Sequence, residues 1–229
     1  MTGPAHHRDP PKNLSQRDHR RLIGVLGLFL PAMLIVVAGL RPTTGLPPWE
    51  LLSSVSEYYY TGAVGILVGI LFALSLFLFT YGGYEGVAAD RVVGWISGAA
   101  AVGVSVFPTS PPHTLSAPSW WRYASSVVHH ISAIVLFVAF IIFAIWLFRK
   151  SSVPRREDRP VDKRRRDDIC LVCGLVMIAC VLWAGSSMFT MAPIFWPEVI
   201  AILAFAISWL VKGEAYEPII RAVRRLSGR

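Results

Sequence analysis

The sequence predicts an all-α integral membrane protein, a bundle of six transmembrane helices with both termini cytoplasmic. Three observations carry that expectation. Hydrophobic residues make up 54% of the chain and charged residues only 16%, far from the balance of a soluble domain. The apolar residues gather into runs near the roughly 20 residues that cross a bilayer core as a helix. Twenty of the 22 Lys and Arg residues fall in alternate connections and the two tails, the bias that marks the cytoplasmic side. Helix is the expected form because it satisfies its own backbone in lipid, and no alternating short strands suggest a barrel.

In chain order, residues 1–21 are polar, hold Pro4, Pro10 and Pro11 with five basic residues, and read as a disordered cytoplasmic tail. Residues 22–40 are the first span. The basic flank resembles a signal peptide, but the run is too long and no A-x-A site follows before Arg41-Pro42. Pro31 predicts a bend in it. The loop 41–61 ends in Ser53-Ser54-Val55-Ser56-Glu57-Tyr58-Tyr59-Tyr60-Thr61, a polar and aromatic run at the mouth of span two, 62–80. That span carries Gly65-x-x-x-Gly69, which predicts a neighbouring helix in close approach. Span three, 92–107, is so small in side chain (Gly94, Ser97, Gly98, Gly103) that a tightly packed central position is expected.

The loop 108–125 holds Thr109, His113 and Arg122, with Trp120, Trp121 and Tyr123 as an interfacial belt. Span four, 126–148, opens on His129 and His130, and a charged loop, 149–168, follows. Spans five and six cover 169–189 and 196–211. In the tail 214–229, Ile219, Val223 and Leu226 recur at helical spacing away from Arg221, Arg224 and Arg225. It reads either as a basic amphipathic helix in the inner interface or as a frayed solvated end.

With the tails inside, only Arg41 and Arg122 remain on the outer side. The net charge of +8 is therefore topological, and it implies no nucleic acid. The expected partners are membrane lipids, including anionic headgroups on the inner face. Oligomeric state is left open. Cys170, Cys173 and Cys180 lie in one apolar segment and imply no disulfide framework.

Oriented this way, Glu57, His129, His130 and Glu198 all begin spans on the outer side, beside Thr109, His113 and Arg122. Ionisable groups at membrane depth face a bundle interior or a wet cavity. The candidate site is therefore an outward-facing pocket of Ser56, Glu57, Tyr58, Tyr60, Thr109, Arg122, His130 and Glu198. Neighbours on a helix lie about 100° apart, so only one histidine points inward; which of the two is left open, and the pocket is drawn with His130. Each residue also has an ordinary role: Glu198 after Pro197 suits a helix start, the tyrosines suit a belt, and Glu57 suits a solvated pair with Arg122.

No cofactor or metal is assigned. Di-histidine haem needs ligands from facing helices, and His129 and His130 share one. A zinc site drawn from His113, His130, Glu57 and Glu198 lacks any H-x-x-x-H or H-E-x-x-H pair. Cys170-x-x-Cys173 has no second pair and reads as apolar filler.

Several short motifs together resemble a known layout: Ser54-Val55-Ser56-Glu57-Tyr58-Tyr59-Tyr60, Phe79-Thr80-Tyr81-Gly82-Gly83-Tyr84, Phe107-Pro108-Thr109, His130-Ile131-Ser132 and Ile207-Ser208-Trp209-Leu210-Val211-Lys212-Gly213. They resemble an uncharacterised bacterial family of polytopic membrane proteins, a domain of unknown function similar in layout to the damage-regulated autophagy modulator family. The resemblance spans about residues 20 to 213 and implies a multi-helix bundle in a bacterial cytoplasmic membrane, with no activity to carry over. Ceramidase-like membrane hydrolases, which pair a serine and an aspartate with three histidines, match poorly because Asp90 falls on the inner side. The expected function is binding or sensing of a lipid headgroup or small molecule. A membrane-embedded hydrolase, metal-assisted or not, is the alternative, and a small-molecule transporter the third.

Overall fold

The computed structural model describes residues 15–82, 88–151, 153, 155–190 and 192–215; the tail expectations for 1–14 and 216–229 lie outside the described residues. Among these the chain is all-helical, without strands. Six helices follow one another: α1 (Gln16–Leu40), α2 (Val64–Phe79), α3 (Ala88–Val106), α4 (Tyr123–Ile145), α5 (Val161–Thr190) and α6 (Phe195–Lys212). Short 3₁₀ turns cover Ser56–Tyr60 and Leu147–Arg149. Helices α1, α4, α5 and α6 are long and apolar enough to cross a membrane. Helix α2 is apolar but 16 residues long, and α3 carries Asp90 and Arg91 near its start.

Each helix packs on the next in sequence, and α1 closes the ring against α6. Successive helices joined this way run antiparallel, so alternate helix termini share an end. At one end Arg21 Nε donates to Gly213 O at 2.8 Å, His19 Nε2 meets Phe77 O at 2.6 Å, and Lys212 Nζ donates to Phe148 O at 2.6 Å. This is the basic end. At the other, the aromatic end, Ile194 N–H donates to Ser53 O at 2.7 Å.

Nearest the basic end, the rings of Tyr81, Phe143, Phe148 and Trp209 interlock with centroids 4.9 to 5.7 Å apart, in the edge-on and tilted geometries that aromatic quadrupoles favour. The outer surface is apolar as well. Phe29, Met33 and Val36 on α1, Ile131, Ile134 and Val138 on α4, and Leu182 on α5 are all exposed. Such a girdle marks an apolar surrounding.

Several boundaries and positions differ from expectation. Helix α1 begins at Gln16 instead of residue 22, because Ser15 caps it: Ser15 Oγ accepts the Asp18 N–H at 3.2 Å. Helix α5 begins at Val161 instead of 169, so part of the expected charged loop is helical. Lys163 pairs there with Asp167 one turn on, and Arg159 joins them at 3.0 Å. Helix α3 is not central: Val92, Trp95, Ile96 and Val106 are exposed. Its small residues serve instead for close approach to a neighbour, since a Cβ on Gly94 would lie 2.9 Å from Leu78 O of α2. The Gly65-x-x-x-Gly69 stripe, expected against a helix, has nothing within 4 Å. Leu67, Leu71, Leu74 and Leu78 take the buried face of α2 and turn those glycines outward.

Candidate functional site

At the aromatic end the polar run folds as the 3₁₀ turn Ser56–Tyr60, poised over the starts of α2 and α6. A turn this short leaves backbone N–H groups at its start without internal partners; a carboxylate takes the one at its cap, Val55, and a second takes that of Ser53 just upstream. Glu198, in the first turn of α6, accepts the Val55 N–H at 2.6 Å. Glu57 accepts the Ser53 N–H at 2.9 Å, while its own N–H donates to Ser54 Oγ at 3.1 Å. Both acids therefore hold the turn.

His129 ties the turn to α3 and α4. Its Nδ1 lies 2.7 Å from Phe107 O and its Nε2 2.9 Å from Ser56 Oγ. A carbonyl only accepts, so Nδ1 carries the proton and Nε2 accepts from the serine hydroxyl. The side chain is 4% exposed. The placing of His130 in the pocket is corrected, and the open choice between the two histidines falls to His129: His130 is exposed, and its Nδ1 turns back to Ser126 O at 2.6 Å. Helical phase decides this. Ser126, His129, Leu136, Phe140 and Phe143 form the buried stripe of α4, and His130 falls about 100° away beside Val127, Ile131 and Ile134.

The remaining candidates take different roles. Tyr60 Oη donates to Thr109 O at 2.5 Å, and Trp121 Nε1 donates to the same carbonyl at 3.0 Å. Thr109, itself buried, thus contributes through its backbone. Tyr58 is 1% exposed, packs near Phe195 at 6.1 Å between ring centroids, and lines a cavity of about 20 Å³, room for about one water. Its hydroxyl has no hydrogen-bond partner among the described residues. Arg122 is exposed and donates from Nη1 to Ser119 O at 2.7 Å and Trp121 O at 2.9 Å, not to Glu57.

Burial raises the Glu57 carboxyl above its ordinary range, opposed by the Ser53 and Ser54 backbone and the His113 imidazole. It also pushes the Tyr60 hydroxyl up to about 12, with neighbouring Tyr59 adding to the effect. His113 itself is exposed.

The chain matches no family model, no curated protein and no solved structure. Its function has to be read from geometry.

Beside the turn lies an open cleft of about 460 Å³, walled by Tyr59, Phe107, Pro108, Trp120, Trp121 and Arg122. The Tyr59 and Trp120 rings meet edge-on at 6.4 Å. The sequence expectation places the paired tryptophans in a belt and takes Tyr58 and Tyr60 from the triplet for the pocket; the signal for Tyr59 is the Trp-Trp-Arg run of residues 120–122, in a loop that α3 and α4 bring to the tyrosine triplet. Among the described residues no three His, Cys, Asp or Glu side chains converge as a metal-ligand set. Cys170 and Cys173 are buried elsewhere, with Cys170 Sγ 3.8 Å from Ser208 O.

Proposed function

We propose that this chain is a multi-pass protein of a bacterial cytoplasmic membrane, with six spans and both termini inside, whose aromatic end faces outward and binds a lipid headgroup or small molecule. The apolar girdle supports the membrane setting. The charge distribution supports the orientation: Arg20, Arg21, Lys150, Lys163 and Lys212 belong to segments at the basic end, the side retained in the cytoplasm. Exposed Trp49, Trp120, Tyr123 and Trp196 at one end, and exposed Trp95 and Trp146 toward the other, suit two interfacial belts.

The observation that carries the binding reading is the cleft of about 460 Å³. Four aromatic side chains, Tyr59, Phe107, Trp120 and Trp121, offer flat apolar surface and cation–π faces. Both described bonds of Arg122 come from Nη1, on a guanidinium with five donors. That set suits a phospholipid headgroup, its phosphate to Arg122 and its ammonium or polyol against the rings. The turn beneath, held by Glu57, Glu198 and His129, fixes Tyr59 in place. The test is thermal unfolding of the purified protein in uncharged detergent with added phospholipids. Stabilisation that disappears in Trp120→Ala and Arg122→Gln supports the reading; equal stabilisation of both variants and wild type sinks it.

Ser56 and His129 favour a second reading, a serine hydrolase acting at the membrane surface. A hydroxyl bonded to Nε2 of an imidazole whose Nδ1–H is fixed by an acceptor is the arrangement of a nucleophile and its general base. Covalent labelling of Ser56 by a fluorophosphonate, absent in Ser56→Ala, is the expected sign. An unlabelled wild type rules it out.

A further inference from the structure

A phospholipid headgroup presents a polyol, a primary ammonium or a quaternary ammonium beside its phosphate, and the cleft next to the Ser56–Tyr60 turn distinguishes them. Its walls carry Tyr59, Phe107, Trp120, Trp121, Arg122 and Ser125. Among the described residues of those walls there is one cation, Arg122, and no Asp or Glu. A positively charged ligand group therefore meets no carboxylate there, and its attraction has to come from aromatic faces.

The polar atoms of the walls are largely engaged. Trp121 Nε1 donates to Thr109 O at 3.0 Å, and Ser125 Oγ donates to Pro108 O at 3.1 Å. Phe107 O accepts from His129 Nδ1 at 2.7 Å, and Trp121 O accepts from Arg122 Nη1 at 2.9 Å. A polyol or a primary ammonium brings several O–H or N–H donors, which lose their water unless acceptors replace it. With no carboxylate in the walls and these carbonyls already bonded, that exchange is unfavourable. A quaternary ammonium has no N–H and needs no acceptor.

The rings supply what a quaternary ammonium does need. Tyr59 and Trp120 meet at 6.4 Å between centroids with their planes inclined by 60°, an angled corner in which a trimethylammonium group touches two π faces at once. Among the described residues no cation occupies those faces: the cation–π pairs are Arg20 with Tyr81, Lys150 with Trp146 and Lys212 with Phe148. The corner is also pre-formed. Tyr59 stands on the 3₁₀ turn, and the residues next to each ring, Tyr60 and Trp121, are tied to one carbonyl, Thr109 O. Little ordering is left for the ligand to impose. Arg122 completes the set, since both its bonds leave from Nη1, and Nε and Nη2 have no partner among the described residues. That edge of the guanidinium is the fork that phosphate oxygens fit.

We infer that the cleft takes a phosphate joined to a quaternary ammonium, a phosphocholine group, with its phosphate on Nε and Nη2 of Arg122 and its ammonium in the corner of Tyr59 and Trp120; this rests on the binding reading of the aromatic end. The group comes either from a choline lipid or from a soluble phosphocholine ester.

The test uses the full chain in maltoside detergent. Thermal unfolding is followed with soluble phosphocholine, phosphoethanolamine and glycerol phosphate at equal ionic strength, and with short-chain phosphatidylcholine and phosphatidylethanolamine of identical acyl chains. Choline probes are expected to stabilise at concentrations at least about fivefold below their ethanolamine counterparts, and glycerol phosphate to be weaker than phosphocholine. A choline preference in the soluble series identifies the ester, and one in the lipid series alone identifies the lipid. Tyr59→Leu with Trp120→Leu keeps apolar bulk but removes the π faces, and is expected to reduce the preference below about twofold. Arg122→Gln is expected to weaken choline and ethanolamine probes alike. A wild type that prefers choline in neither series overturns the phosphocholine assignment; if lipid stabilisation still disappears in Trp120→Ala and Arg122→Gln, the headgroup reading stands without it. No stabilisation by any probe overturns both. A choline preference retained in the folded double leucine variant also overturns the assignment, and should that variant not fold, the wild-type comparison of choline with ethanolamine decides.

Discussion

Replacing His129 with alanine tests the most specific contact in the candidate site. The change removes two hydrogen bonds, to Phe107 O at 2.7 Å and to Ser56 Oγ at 2.9 Å, and empties the space of an imidazole only 4% exposed. Hydrogen bonds between helices in a membrane average about 0.6 kcal/mol with a maximum near 1.7. Two of them therefore account for about 1 to 3 kcal/mol, and the lost packing of a buried side chain adds roughly 1 to 2 more. The expected destabilisation is about 3 kcal/mol. His130→Ala, on the exposed face of the same helix, is expected to cost less than about 1 kcal/mol. Reversible unfolding in mixed micelles by titration with a denaturing detergent measures both. A double-mutant cycle with Ser56→Ala should show coupling of roughly 0.6 kcal/mol or more between Ser56 and His129. An effect of His130→Ala equal to or larger than that of His129→Ala would refute the assignment.

Other substitutions separate further parts of the account. Glu198→Gln keeps a carbonyl oxygen for the Val55 N–H, whereas Glu198→Ala leaves that donor without its acceptor, so the alanine variant should be the less stable by about 1 to 3 kcal/mol in the same titration. Burial raises the Glu57 carboxyl above its ordinary value of 4.5, so its favourable contribution is present below that pH and is lost as pH rises through the folded-state value. Glu57→Gln does not titrate; wild type should therefore lose stability relative to this variant as pH is raised from about 4 to neutrality, and the opposite slope contradicts the burial. Gly65→Ala and Gly69→Ala should be neutral or stabilising by up to about 1 kcal/mol each through helix propensity, because nothing lies within 4 Å of either position. Gly94→Ala should destabilise, since its Cβ would crowd the Leu78 carbonyl at 2.9 Å.

Composition and the length of the apolar runs made legible an all-helical chain with helices long and apolar enough to cross a membrane, because apolar content on this scale leaves few other solutions. The convergence of Ser56, Glu57 and Glu198 at one end was legible too, since alternating helices bring every second terminus together. Which face of a helix points inward was not. Lipid is as apolar as a core, so hydrophobicity does not distinguish the two sides of α4, and the inward face shows instead as a sparse stripe of small and polar residues. Ser126 and His129 carry that stripe, and reading it would have chosen His129 over His130. The same blindness assigned Gly65 and Gly69 to a helix contact that Leu67 and Leu71 pre-empt. Spacing also gives no sign that Glu57 and Glu198 spend their oxygens on backbone N–H groups at Ser53 and Val55, because those donors come within reach only once the chain has folded over into the turn.

The outward orientation of the aromatic end, on which the proposed function depends, is tested most directly by single-cysteine labelling in intact cells. With Cys170, Cys173 and Cys180 replaced by alanine, Ser119→Cys in the α3–α4 connection and Glu157→Cys in the α4–α5 connection are exposed to a membrane-impermeant maleimide. The cysteine at 119 should label from outside, and the one at 157 only after the membrane is permeabilised. Labelling of 157 and protection of 119 in intact cells would contradict the orientation.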